Sequence, residues 1–290
     1  MIAIVTGSKS FIGSAVITAL CDRGVEVVPL RHSFEEEPSL LPASADIWIH
    51  FAWAGQGPKG RVDKDIQSYN MEMSMAALRK ASELSVRRFV FAGSQAEYGP
   101  GRKGTSRRED SPLRPVSEYG RAKSAFAGLA REWVRSFNED GGELSFLHLR
   151  IFSVYGGGDR EDSLVSSALR SFSEGRDMEL SDCSQLWNYM YIRDAAEAIS
   201  HLSMLPFGAL PEYEAVNVAS GDTRSLRSYI EELKAITGSS SELCFGTRSQ
   251  NAEGACDLDP DISRLRSLGF TERYSFSEGI REMLSEITYR

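Results

Sequence analysis

Short apolar runs at residues 2–5, 25–30, 47–52, 88–92, 147–152 and 216–219, with helical patterns between most of them, constrain this chain more than any other feature. Runs this short and this continuously apolar suit strands buried on both faces. Parallel strands cannot be joined by a hairpin and need a crossover, usually a helix. The order of elements therefore predicts an α/β fold on an open parallel sheet. Between 33 and 45 there is too little chain for a helix plus a full strand, so one crossover is expected to be abbreviated.

The first run ends in Thr6-Gly7-Ser8-Lys9-Ser10-Phe11-Ile12-Gly13, followed by a helical pattern through Val16, Ile17, Leu20 and Cys21 that stops at Gly24. A glycine-bearing turn between strand and helix lets the backbone approach a pyrophosphate, and the helix N-terminus offers free N–H groups and a positive dipole end. Strand, glycine-bearing turn and helix predict the start of a Rossmann-type doubly wound sheet with a dinucleotide site. The second run ends in Arg31-His32-Ser33. An acidic residue there would hold ribose hydroxyls, whereas an arginine suits a 2′-phosphate, so NADP is the expected cofactor, with NAD possible. The run at 47–52 exits at Trp53-Ala54-Gly55, on the cofactor edge of the sheet.

The run at 88–92 leads to Gly93-Ser94-Gln95-Ala96-Glu97-Tyr98-Gly99, placing Ser94 at the carboxyl end of a central strand, where open α/β sheets bind ligands. A basic, proline-bearing loop over 102–115 precedes Ser117-Glu118-Tyr119-Gly120-Arg121-Ala122-Lys123. Four residues apart on a helix, Tyr119 and Lys123 share a face. A phenol titrates near pH ~10, and a fixed ammonium beside it favours the phenolate. The pair is thus a candidate acid/base.

The net charge is −8, from 33 basic and 41 acidic residues, which disfavours nucleic acid or an anionic membrane as a general partner. An anionic ligand must then meet a local basic site. Cys21, Cys183, Cys244 and Cys256 are scattered, and His32, His50, His148 and His201 lack ligand spacing, so no metal site and no disulfide framework is expected. Reduced thiols, the absence of a charged leader and the absence of a membrane-length apolar run suggest a cytoplasmic protein.

With these pieces placed, the chain resembles the extended short-chain dehydrogenase/reductase family, in its nucleotide-sugar epimerase, dehydratase and reductase branch. The resemblance spans nearly the whole chain and rests on Thr6-Gly7 to Gly13, His50-Phe51-Ala52, Asn70, Ser94 before Tyr98-Gly99, Tyr119 to Lys123, Leu149-Arg150 to Tyr155-Gly156, Tyr189 to Asp194 and Asn217-Val218. It implies that Tyr119 is the general acid/base, that Lys123 tunes it and grips the nicotinamide ribose, and that Ser94 hydrogen-bonds the reacting oxygen. It further implies cofactor contacts from Gly7, Ser10, Phe11, Ile12 and Gly13, from Arg31 and His32, from Phe51, Ala52, Trp53 and Asn70, and from Phe152. Substrate contacts are expected from Ser94, Gln95, Ser153, Trp187, Tyr189 and Arg248. Ser10 replaces a glycine of the fingerprint, Ser153 stands where an asparagine is common, and Trp187 stands where many relatives have a diphosphate-holding arginine, for which Arg248 or Arg193 could substitute.

Gln95-Ala96 occupies the place of the Asp-Glu pair of sugar-nucleotide dehydratases, and neither residue moves a proton at neutral pH. The resulting expectation is NADP-dependent reduction of a 4-keto group on a nucleotide-linked sugar. The alternatives are a 4-epimerase holding NAD tightly, a catalytically silent nucleotide sensor, and a reductase of carbonyl compounds lacking a nucleotide. The expected units are 1–153 plus 187–219 for the Rossmann domain and 154–186 plus 220–290 for a smaller interwoven substrate lobe. A homodimer is expected through apolar positions Met71, Met75, Leu78, Phe126, Leu129 and Trp133.

Overall fold

Residues 1–31, 34–101, 104–249 and 257–288 are described by a computed structural model. Strand β1 (Ile2–Thr6) runs into helix α1 (Phe11–Asp22), then β2 (Glu26–Leu30) and β3 (Ile47–His50). Between β2 and β3 there is only a short 3-10 turn at Pro38–Leu40, the abbreviated crossover that the spacing predicts. Helix α2 (Lys64–Glu83), β4 (Arg88–Ser94), helix α3 (Glu118–Glu139) and β5 (Ser145–Ile151) follow. The Asp63 carboxylate caps helix α2 by accepting from the N–H groups of Asp65 and Ile66.

After Phe152 the chain forms β6 (Ser153–Tyr155), α4 (Leu164–Ser173), β7 (Met178–Leu180) and β8 (Leu186–Tyr191). It continues as α5 (Ile192–Met204), β9 (Tyr213–Val218), β10 (Thr223–Ser225) and α6 (Leu226–Thr237), then β11 (Leu243–Phe245), α7 (Ser263–Ser267) and α8 (Phe276–Thr288). The large sheet has the order β2-β1-β3-β4-β5-β9 and is parallel throughout. The order in which strands are added reverses between β1 and β3, which opens a crevice at their carboxyl ends. Helices α1 and α5 pack on one face over a core containing Val16, Leu20, Ile49, Leu149 and Ile199. Helices α2 and α3 cover the other, over Trp48, Leu78, Phe91, Phe126 and Phe146.

The small lobe pairs β10-β8-β6 in one sheet and β11-β7 in another. Around them α4, α6 and α8 bury a third core with Tyr155, Leu169, Tyr229 and Phe276. Residues 187–191, expected in the large unit, therefore pair in the small sheet. The chain rejoins the large sheet's face at α5. The apolar stripe assigned to a subunit contact also divides. Leu78 and Phe126 are fully buried against the sheet, Met71, Met75 and Trp133 are half-buried, and Leu129 is 53% exposed. Among the described residues no helix is long and apolar enough to cross a membrane.

Candidate active site

The carboxyl ends of β4 and β5, the start of α3 and the small lobe enclose a cavity of about 770 Å³. A second cavity of about 410 Å³ lies at the β1/β3 crevice, and Ser10, Phe51 and Gln56 line both. The two form one elongated cleft crossing the point where the strand order reverses.

Gly7 has φ +72°, and a Cβ there would come within 2.7 Å of the Ala52 N. Glycine lets the two crevice strands approach. A Cβ on Gly13 would lie 2.5 Å from the Gly7 carbonyl oxygen, so this glycine serves the packing of α1 under the turn. Ser10 sits at φ −69°, a conformation open to any residue, and its Oγ accepts from the Gly13 N–H as the cap of α1. The departure from the glycine fingerprint thus costs no backbone strain and adds a cap. Phe11 and Ile12 head α1, where N–H groups lack partners within the helix, and both line the larger cavity.

Gly7, Lys9, Arg31, Ala52, Trp53 and Asn70 line the smaller cavity. Asn70 clasps the exit of β3, its side chain bonding the N–H and the carbonyl of Ala54 at 2.8 and 2.9 Å. Phe51 and Phe152 face the larger space. His32 lies outside the described residues. A turn open to a pyrophosphate, a helix start and an elongated cleft fit a dinucleotide.

Ser94, Tyr119 and Lys123 all line the larger cavity. The Ser94 Oγ accepts from the Ala96 N–H at 3.2 Å, which leaves its own proton free for a ligand. Ser117 caps α3, and Gly120 lets that helix press on the turn behind Ser94: a Cβ there would lie 2.5 Å from the Ala96 oxygen. That close approach brings Tyr119 to the cavity of Ser94. The Lys123 ammonium, 3% exposed, donates to the Ala92 carbonyl at 2.6 Å and lies 3.9 Å from the Trp53 ring centre and 5.6 Å from that of Tyr119. Burial pulls its pKa down to about 7, and the charge of Glu97 opposes that fall.

Ser153, Trp187, Tyr189 and Arg248 line the small-lobe end of the same space. The Trp187 Nε1 is buried and has no hydrogen-bond partner among the described residues. Arg193 is drawn instead to Glu282 and Glu286 on α8, and it is not among the residues that line the cavity. Gln95 is not among the cavity-lining residues; it stands behind Ser153, donating to its Oγ at 3.3 Å.

The sequence reading overlooked Arg61, Asp159 and Arg160, which also line the cavity. The Arg61 guanidinium lies 4.5 Å from the Tyr119 ring centre. Its loop is folded tightly because Gly55, at φ +69°, and Gly60 touch backbone to backbone, where any Cβ on Gly60 would overlap Gly55. Two glycines in a short polar loop were the available signal. Among the described residues no group of three or more His, Cys, Asp or Glu is placed to hold a metal.

The family model described as "NAD dependent epimerase/dehydratase family" matches residues 3–219. A dTDP-6-deoxy-L-talose 4-dehydrogenase (NAD(P)(+)) of Kitasatospora kifunensis is 26% identical over 96% of this chain and 93% of its own length. A CDP-abequose synthase of Salmonella muenchen is 25% identical over 59% of this chain and 56% of its own length. Among solved structures, MoeE5 in complex with UDP-glucose and NAD superposes with a TM-score of 0.80 at 25% identity, over 100% of this chain and 99% of that one.

Proposed function

The chain belongs to the NAD dependent epimerase/dehydratase family, and from that membership we propose that it is an NADP-dependent reductase of a nucleotide-linked 4-keto-6-deoxysugar. The observation that carries the reading is one cavity lined by Ser94, Tyr119 and Lys123, with Gln95 and Ala96, neither of them a proton carrier, directly after the serine. The lining carboxylates Asp159, Asp162 and Glu179 belong to the small lobe rather than to that turn.

Gly7, Phe11 and Ile12 would hold NADPH in the cleft, where it would supply the hydride. Ser94 donates its free hydroxyl proton to the substrate carbonyl oxygen as a hydrogen bond. Tyr119 transfers its phenolic proton to the same oxygen as the carbon is reduced, so a ketone becomes an alcohol. Lys123 stabilises the phenolate left behind, which regains its proton from solvent. Similarity to a dehydrogenase acting at carbon 4 of a dTDP-6-deoxysugar over nearly its whole length supports this choice. At the diphosphate, Arg248 and Arg160 take the place of the arginine that Trp187 replaces, since both reach the cavity. The protein works in the cytoplasm as a homodimer.

Incubation of the purified protein with NADPH and a nucleoside diphosphate 4-keto-6-deoxysugar tests the reading. Cofactor absorbance should fall in step with alcohol formation. Flat absorbance with inversion of a 4-hydroxy sugar nucleotide would make the protein an epimerase.

A further inference from the structure

Behind Ser94 lies a buried ionic cluster that the reaction above does not use. Glu97, Arg150 and His148 are all 4% exposed or less. The Glu97 Oε1 accepts from the Ser94 N–H at 2.7 Å. The His148 Nε2 stands 3.1 and 3.0 Å from the two Glu97 oxygens, and the Arg150 Nε is 3.8 Å from Oε2. Space for this pair is made by Gly93, where a Cβ would overlap the His148 ring and lie 2.6 Å from Glu97 Oε1. One residue earlier on the same strand, the Ala92 carbonyl holds the Lys123 ammonium.

We propose that Glu97 is a positioning residue of the active site: it fixes Ser94 from behind and supplies the negative charge that keeps the buried Lys123 ammonium charged. The inference rests on the assignment of Lys123 to the site and not on which substrate is reduced.

The groups packed around the pair leave this role to Glu97. On β3, His50 is neutral, its pKa pushed down to about 3 by burial and by Lys123 itself. Helix α2 presents Gln67, Asn70 and Ser74, which carry no charge. On α3, Tyr119 is the acid that Lys123 serves, and Arg61 lies over its ring. On β5, His148 and Arg150 hold the Glu97 carboxyl below the usual range against the opposing cost of burial. The Tyr98 hydroxyl accepts from Arg150, Tyr213 on β9 meets the other nitrogen of His148, and Arg131 covers the Tyr213 ring. Among the described residues Glu97 is the buried carboxylate beside this stretch of β4, binding the Ser94 N–H two residues beyond the carbonyl that holds Lys123.

Protein labelled with 13C-lysine, its Lys123 resonance assigned by loss in Lys123→Met, reports the titration of that ammonium without substrate or cofactor. In Glu97→Gln, which retains an acceptor for the Ser94 N–H, the Lys123 midpoint should fall by about one pH unit, a tenfold loss of proton affinity. Glu97→Asp should restore most of it. Should Glu97→Gln not fold, the reciprocal measurement serves: Lys123→Met should raise the pH at which the 13C-labelled Glu97 carboxyl titrates. A Lys123 midpoint unmoved in Glu97→Gln, or a Glu97 midpoint unmoved in Lys123→Met, overturns the proposal whether or not the enzyme reduces a keto-sugar.

Discussion

Lys123 and His50 are neighbours with opposite needs. The Ser74 Oγ donates to the Asn70 carbonyl, so it accepts from His50 Nε2–H, and the Thr6 hydroxyl then donates to Nδ1. Both ring nitrogens are satisfied in the neutral form. Burial, helped by the Lys123 charge, pushes the His50 pKa down to about 3. The unfolded chain therefore binds a proton at His50 that the folded one refuses, and stability falls as pH drops from about 6.5 towards 3, by up to roughly 4 kcal/mol. In His50→Gln, urea midpoints between pH 7 and 4 should decline less steeply than in the wild type. Equal declines would mean that His50 is protonated in the fold. Tyr119 and Lys123 were legible in the sequence because their spacing is local. Glu97 was not, because its partners His148 and Arg150 come from another strand and nothing in the chain between them marks the meeting.

Helices α2 and α3 show what an element's pattern conveys. Their apolar positions predict burial, yet one amphipathic helix does not say which positions meet the sheet and which meet a partner. The structure assigns Leu78 and Phe126 to the sheet and leaves Leu129 on α3 and Tyr69 on α2 each 53% exposed. Leu129, with half-buried Met71, Met75 and Trp133, is where the proposed homodimer would make its contact. Sedimentation should give a dimer, and Leu129→Glu should shift it towards monomer, since a carboxylate placed in a dry contact is costly. A wild-type monomer at every concentration would remove the homodimer. Strand β8 was misplaced for a related reason: apolar Trp187 to Tyr191 suits any sheet, and pairing with β6 and β10 follows only once those short strands exist. Ser10 was readable as a departure from the glycine pattern but not as the cap of α1, which depends on backbone angles.

For the whole molecule, the order of runs and helices made the six-stranded parallel sheet legible, because each crossover must bury its strands. The shape of the cleft was less so, since Arg61, Asp159 and Arg160 reach it from loops. The proposed preference for NADP rests on its far end. Arg31 and Lys9 there outnumber Glu36, which favours a 2′-phosphate, and one charge-assisted bond is worth roughly 1.5–3 kcal/mol. Titration should show NADPH binding about tenfold or more tighter than NADH, and Arg31→Ala should erase the difference. Equal affinities in the wild type would mean that Arg31 serves another purpose.

The central claim, that Tyr119 delivers the proton of a net reduction, is tested most directly by isotope transfer. NADPH carrying deuterium on the transferred face, supplied with a nucleoside diphosphate 4-keto-6-deoxysugar, should leave one deuterium at the reduced carbon for each cofactor oxidised. Tyr119→Phe should bind NADPH as the wild type does and lose at least about 100-fold in that transfer, because only the mobile proton is gone. Wild-type turnover with no deuterium in the product, or a Tyr119→Phe protein that transfers it at the normal rate, would contradict the account.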